Sequence, residues 1–127
     1  MDYLIRFGFS IEDIKNMMDT NIYINSVSDT NVKKLIDILE KCDCTTVQIR
    51  DILLCNPFYL NQEINTVKET IKYLEKFGFK KLNILFGTNP YLLNLNCLEI
   101  SEIINTLKDK KASVEEIIDY FNYNLVI

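Results

Sequence analysis

Cys42 and Cys44 stand two residues apart in this 127-residue chain, a spacing at which paired thiols can hold a soft metal or form a redox couple. A metal site needs further ligands. The chain has no His, and Cys55 and Cys97 lack the C-x-x-C spacing that would complete one. Cys42 and Cys44 also fall in a slot that Phe7/Phe9 and Phe77/Phe79 occupy elsewhere. Free Cys behaves as a small buried hydrophobe, so core packing is favoured over ligation. No metal and no cofactor is expected. General acid–base chemistry is no better supplied, since it usually relies on His or on a desolvated carboxylate. The adjacent acids Glu12-Asp13 and Glu115-Glu116 fall in first helical turns, where the helix dipole favours negative charge. Gly8, Gly78 and Gly87 are isolated, so no phosphate-cradling loop is formed. The chain reads as non-enzymatic.

The lysines are the remaining chemical signal. Lys68, Lys72 and Lys76 recur at every fourth residue, one stripe along a helix, and Lys80 and Lys81 extend it. Lys108, Lys110 and Lys111 take the matching place one repeat later. Residues 68–111 carry eight Lys against five acids, between an acidic stretch at 1–67 and another at 112–127; the whole chain is −4. These eight lysines are the candidate contact for nucleic acid or another partner, because a phosphate backbone needs several converging cations. Glu69 and Glu75 interleave with them, and the bland reading, a solvated face laced with i,i+4 charge pairs, is favoured. Tyr23, Tyr59 and Tyr91 recur in one apolar cluster, where packing accounts for most of them; surface Tyr hydroxyls would suit a protein interface.

Length and composition set the frame for these side chains. One domain over residues 1–127 is expected, with 48% hydrophobic residues to fill a continuous core. Runs such as Ile52-Leu53-Leu54-Cys55 are far too short to span a bilayer, so no membrane partner is expected. The N-terminal Met1-Asp2-Tyr3-Leu4-Ile5-Arg6 does not resemble a secretory signal, and four Cys in a core-rich chain do not read as a disulfide framework. A reducing cytoplasmic location is the expectation.

The elements that position the lysines come from a repeat. Leu4, Leu39, Leu74 and Leu107 recur at intervals of 35, 35 and 33 residues. Three residues after each comes Phe7-Gly8-Phe9, Cys42-Asp43-Cys44, Phe77-Gly78-Phe79 or Lys110-Lys111-Ala112, and further on an Asn: Asn21, Asn56, Asn89, Asn124. Ser10-x-x-Asp13, Thr45-x-x-Gln48 and Ser113-x-x-Glu116 are capping boxes that open a first helix in three of the units. The third unit has Lys80-Lys81 there instead, which predicts a short first helix. The Asn ends that helix or turns the chain, most firmly at Asn56-Pro57 and Asn89-Pro90, because Pro pushes its predecessor out of the α region. A second helix follows with an apolar stripe: Val32, Leu35, Ile36, Leu39; then Val67, Ile71, Leu74; then Ile100, Ile103, Ile104, Leu107. It stops at a Gly in the left-handed region, a role that Gly8 and Gly78 fit and Asp43 tolerates less well. The fold class is therefore all-α. About three and a half units of about 35 residues, beginning near the four Leu, stack into a short right- or left-curving superhelix of about seven helices.

The units resemble the motif of the mitochondrial transcription termination factor (mTERF) family. The likeness lies in Asn56-Pro57-Phe58-Tyr59-Leu60, in Tyr73-Leu74-Glu75-Lys76-Phe77-Gly78-Phe79 and in Asn89-Pro90-Tyr91-Leu92-Leu93. The resemblance implies an all-helical superhelix whose concave face grips nucleic acid.

Two binding functions compete. The acidic total favours a protein partner or self-association, since net negative charge opposes phosphate binding. The family resemblance favours DNA or RNA. Ile117, Phe121 and Tyr123 are candidates for self-association, because an uncovered repeat end exposes apolar surface. The alternative is that the tail Asn124-Leu125-Val126-Ile127 folds back over the last helix.

Overall fold

Three of the four first helices begin where a hydroxyl meets its partner three residues on. In the computed structural model, which describes residues 2–123, Ser10 Oγ accepts from the Asp13 N–H at 3.0 Å while the Asp13 carboxylate accepts from the Ser10 N–H at 3.1 Å. Thr45 and Gln48 make the same reciprocal pair, as do Ser113 and Glu116. These caps open α2 (Ile11–Thr20), α4 (Thr46–Cys55) and α8 (Val114–Tyr123). The third unit lacks a side-chain cap at Lys81, and its first helix α6 (Leu82–Thr88) is only seven residues long. The second helices are α1 (Asp2–Phe7), α3 (Asp29–Lys41), α5 (Ile64–Phe77) and α7 (Cys97–Asp109). Asn96 and Glu99 form one more capping box, at α7. Eight α-helices and no strand are present among the described residues. The count exceeds seven because α1 already closes its own turns before the first stop.

All four second helices end in the same hydrogen-bonded lock. Phe9 N–H donates to the Leu4 carbonyl at 3.0 Å and Gly8 N–H to the Ile5 carbonyl at 3.1 Å. Cys44→Leu39 and Asp43→Glu40 repeat it, as do Phe79→Leu74 with Gly78→Glu75, and Ala112→Leu107 with Lys111→Lys108. This is a Schellman stop, in which the residue after the left-handed one folds an apolar side chain back onto the helix's last turn. It explains the register of the repeat: the Leu supplies the carbonyl and apolar contact, and the residue five positions on closes over it. Gly8 and Gly78 take φ of 122° and 125°. Asp43 and Lys111 occupy the same place at φ 66° and 64°, with side chains that pay a steric penalty there.

The segment after each Asn is a short 3-10 helix, at Ile22–Ser26, Pro57–Asn61 and Pro90–Asn94. Three rows result. Each second helix packs on the second helix of the next unit, each first helix on the next first helix, and each 3-10 turn on the next 3-10 turn. The 3-10 turns run along one edge, and the Gly stops run along the opposite one. The core between the rows is apolar, with Leu4, Leu39, Leu74, Leu35, Leu53, Leu85 and Phe86 fully buried.

The repeat Asn does more than end a helix. Asn21, Asn56 and Asn89 are the buried amides of the core. Asn21 Nδ2 donates to the Pro57 carbonyl at 3.2 Å, and Asn56 Nδ2 donates to the Pro90 carbonyl at 2.9 Å. Asn89 Nδ2 donates to the Phe121 carbonyl. Every buried Asn therefore ties its own unit to the following one. Tyr59 adds a buried hydroxyl bond to the Leu35 carbonyl at 2.6 Å, and Thr70 one to the Leu95 carbonyl at 3.1 Å.

Two of the three residues expected to wait for a second copy are inside the fold. Ile117 and Phe121 are buried, because α8 packs on α6 and the Phe121 ring meets Phe79 edge-on at a centroid distance of 5.7 Å. Tyr123 stays exposed. The tail proposed to fold back, residues 124–127, lies outside the described residues.

Candidate nucleic-acid interface

The helical stripe on α5 is real and faces solvent: Lys68, Lys72 and Lys76 are exposed, as are Lys80 and Lys81 in the stop that follows. Lys108 at the end of α7 and Lys110 and Lys111 in its stop are exposed too. α5 packs on α7, so their lysine-bearing ends belong to neighbouring helices, at a typical interhelix spacing of about 8–10 Å.

Lys68 and Lys72 do not stand alone. Together with Lys41, from the preceding unit, they rim a groove of about 300 Å³ between α3 and α5. Ile38, Cys42, Ile71 and Leu82 supply its apolar lining, and Glu75 lines it too. Lys41 was not among the sequence candidates. Its signal was its place immediately before the stop, where Lys76 stands one unit later. Lys108 is engaged differently, with its Nζ 5.8 Å from the centroid of the Phe77 ring, a cation–π arrangement. Lys76, Lys80, Lys81, Lys110 and Lys111 line no part of this groove and lie along the loop edge beyond it.

The expected lacing of these lysines with Glu is not formed. Lys33 and Asp37 form an ion pair on α3, 3.8 Å apart, and among the described residues none of the eight candidate lysines makes one. Their charge is left for the surroundings, and even the Lys33–Asp37 pair is an exposed one of small worth.

The other signals settle into packing. Cys42 and Cys44 are free, buried thiols, and burial pushes them up to about 12 and about 11 respectively, with neighbouring negative charge adding to the effect. They are protonated and unreactive at neutral pH. No group of three or more His, Cys, Asp or Glu able to hold a metal exists among the described residues. Tyr59 is fully buried and Tyr91 donates to the Cys55 carbonyl at 3.1 Å, so neither is a free stacking platform. No helix among the described residues is long and apolar enough to cross a membrane. The row of first helices differs in character. It exposes Ile11, Val47, Leu54, Ile84 and Tyr120 beside Glu12, Asp19, Asp51, Glu115 and Asp119.

With the stop motifs, the Asn ladder and the lysine edge in view, the comparison with known families is decisive. The family model for mTERF matches residues 1–123. The chain belongs to the mTERF family. No match was found among curated proteins or among solved structures. The mTERF match spans all three complete units and both flanking helices.

Proposed function

We propose that this mTERF-family chain is a nucleic-acid-binding module rather than an enzyme, and that it meets the phosphate backbone along its second helices and stop loops. The observation that carries the reading is the convergence of Lys41, Lys68 and Lys72, from two different units, on one groove, with none of the candidate lysines in an ion pair. Family membership supports it, and reverses the preference that net charge alone suggested. The first helices hold seven acids against Lys15 and Arg50, whereas the second helices and their stop loops hold twelve cations against ten acids, so the total of −4 understates the charge available on the second-helix side. Lys76, Lys80, Lys81, Lys108, Lys110 and Lys111 would extend the contact along the loop edge.

A salt-titrated gel shift with mixed DNA and RNA tests this. Retardation at low salt should fade linearly in the logarithm of salt, with a slope near −0.9 for each duplex phosphate contacted. Absence of retardation at low salt rejects the reading. The apolar residues Ile11, Val47, Leu54 and Ile84 on the first-helix row favour a protein contact as a second function on a separate face. Sedimentation and pull-down with that row substituted would read it independently of the gel shift.

A further inference from the structure

The row of first helices turns one stripe of side chains to solvent, and its character changes along the row. Counted back from the repeat Asn, the two outer helices carry acids on that stripe, Glu12 and Asp19 on α2 and Glu115 and Asp119 on α8. The two inner helices carry Val47 and Leu54 on α4 and Ile84 on α6. All seven are exposed. An apolar centre with a charged rim is the anatomy of a protein interface. Within the four helices no Lys or Arg falls on the stripe, and Arg50, one position aside, donates to the Gly8 carbonyl at 3.5 Å. At the middle of the row a cleft of about 320 Å³ lies between α4 and α6, with Asp51, Ile52 and Cys55 on one side and Gly87 and Thr88 on the other. A Cβ at Gly87 would meet no heavy atom within 4 Å, so that position looks into open space. Asp51 is exposed at the cleft and makes no ion pair among the described residues.

We propose that this row docks an amphipathic helix of another protein, apolar along its middle and basic toward both ends, which seats one arginine in the cleft between α4 and α6. The proposal rests on the reading of this row as a protein contact and names its partner. Charge complementarity selects a basic partner, because the acids at both ends of the stripe face solvent without a cation beside them. Two copies of this chain meeting row to row would set acids against acids. No strand among the described residues offers an edge to an extended peptide, so the partner presents its side chains from a helix. Three interhelix steps from α2 to α8 span about 24–30 Å, the length of a helix of about 16–20 residues. Arginine fits the cleft because its stem packs on apolar surface, here Ile52, while its planar fork bonds a carboxylate through two N–H groups, here Asp51.

The test is fluorescence anisotropy of the whole chain with a labelled synthetic helix of about 18 residues, made of Leu and Arg with Leu along the middle of one face. The same residues in scrambled order and the same helix with Glu in place of Arg are the controls. Saturable binding is expected for the ordered Leu/Arg helix alone. Gly87→Leu, which fills the cleft, and Asp51→Asn should each weaken it roughly tenfold, the worth of one charge-assisted hydrogen bond. The double variant should be little worse than either, because both changes remove the same contact. Glu102→Gln, at an exposed acid on α7, should leave binding unchanged. The exposed Asp51 keeps the test open if Gly87→Leu fails to fold. No saturable binding overturns the proposal, as does equal binding of the scrambled peptide or binding indifferent to both Gly87→Leu and Asp51→Asn. Binding of the Glu helix alone overturns it while leaving the row a protein contact of another chemistry. A dimer of the chain alone that Gly87→Leu dissociates in sedimentation overturns it in favour of a second copy.

Discussion

Asn56 and Asn94 exchange hydrogen bonds across a repeat boundary: Asn56 Nδ2 donates to Asn94 Oδ1 at 3.0 Å, and Asn94 Nδ2 donates to Asn56 Oδ1 at 2.9 Å. Asn56 spends its second N–H on the Pro90 carbonyl, so its whole amide is satisfied although the residue is fully buried. Removing it orphans a buried carbonyl and half of the Asn94 amide, and each orphaned group costs about 1–3 kcal/mol. Asn56→Ala is expected to destabilise the chain by about 3 kcal/mol, against less than about 0.5 kcal/mol for exposed Asn25→Ala. Urea denaturation followed by circular dichroism measures both. Equal midpoints for the two variants would refute the role of the ladder.

The left-handed stop predicts opposite signs at two equivalent positions. Lys111 holds φ 64° with a side chain, at a steric cost of about 1–2 kcal/mol, partly offset because Gly would loosen the unfolded chain. Lys111→Gly is therefore expected to stabilise by roughly 0.5–1 kcal/mol. Gly78→Ala should do the reverse, by about 1–2 kcal/mol, because φ is 125° and the new Cβ would lie 3.4 Å from Ile118 Cδ1. Thermal melts of the pair check the sign.

These two sites show what the sequence could and could not reveal. The Leu-to-stop register was legible because it depends on local hydrogen bonds within six residues, and local bonds leave a fixed spacing in the chain. Asp43 and Lys111 obscured it only because the backbone position outweighs the preference for Gly. The Asn ladder was not legible. Its partners lie 32–40 residues away, so sequence showed the Asn as a helix end and concealed that its amide points into the next unit. Ile117 and Phe121 looked uncovered because their cover, α6, belongs to an earlier unit. Lys41 was hidden for the same reason, since its groove partners sit on another helix.

Alkaline pH should unfold the chain before it harms it elsewhere. Cys42 and Cys44 are raised from 9.0 to about 12 and about 11 by burial, and the Tyr59 hydroxyl is raised in the same direction. A folded pKa above the unfolded one means the native state keeps a proton that the unfolded chain releases. The stability these thiols provide is complete below about pH 9 and declines as pH rises toward 11–12. Urea midpoints under reducing conditions should be flat from neutral pH to about 9 and then fall. Cys42→Ala should shallow that fall, and a slope identical to that of the parent chain would show that the thiol is not the group titrating.

Lys41 should matter as much to nucleic acid as the lysines of α5, because it rims the same groove as Lys68 and Lys72. Lys41→Gln and Lys68→Gln are each expected to reduce the salt slope of binding by about one phosphate's worth, near 0.9. Lys15→Gln, on the first helix α2, should leave the slope unchanged. A Lys15 effect as large as that of Lys41 would place the contact on the wrong row.

Phe121 closes the last described unit. Its ring is fully buried against Phe79, and its carbonyl accepts from Asn89, so α8 covers the face that α6 would otherwise show to water. Truncating it leaves a cavity and loosens that cover at once, at an expected cost of about 3–5 kcal/mol for Phe121→Ala. Tyr123, 80% exposed on the same helix, should cost less than about 0.5 kcal/mol when changed to Ala. The two variants also separate packing from association. If α8 serves chiefly as a cover, Phe121→Ala promotes association in sedimentation by baring the α6 face, whereas Tyr123→Ala leaves the sedimentation profile of the parent chain unchanged. Dissociation of a parent dimer by Tyr123→Ala would instead make α8 a contact between copies.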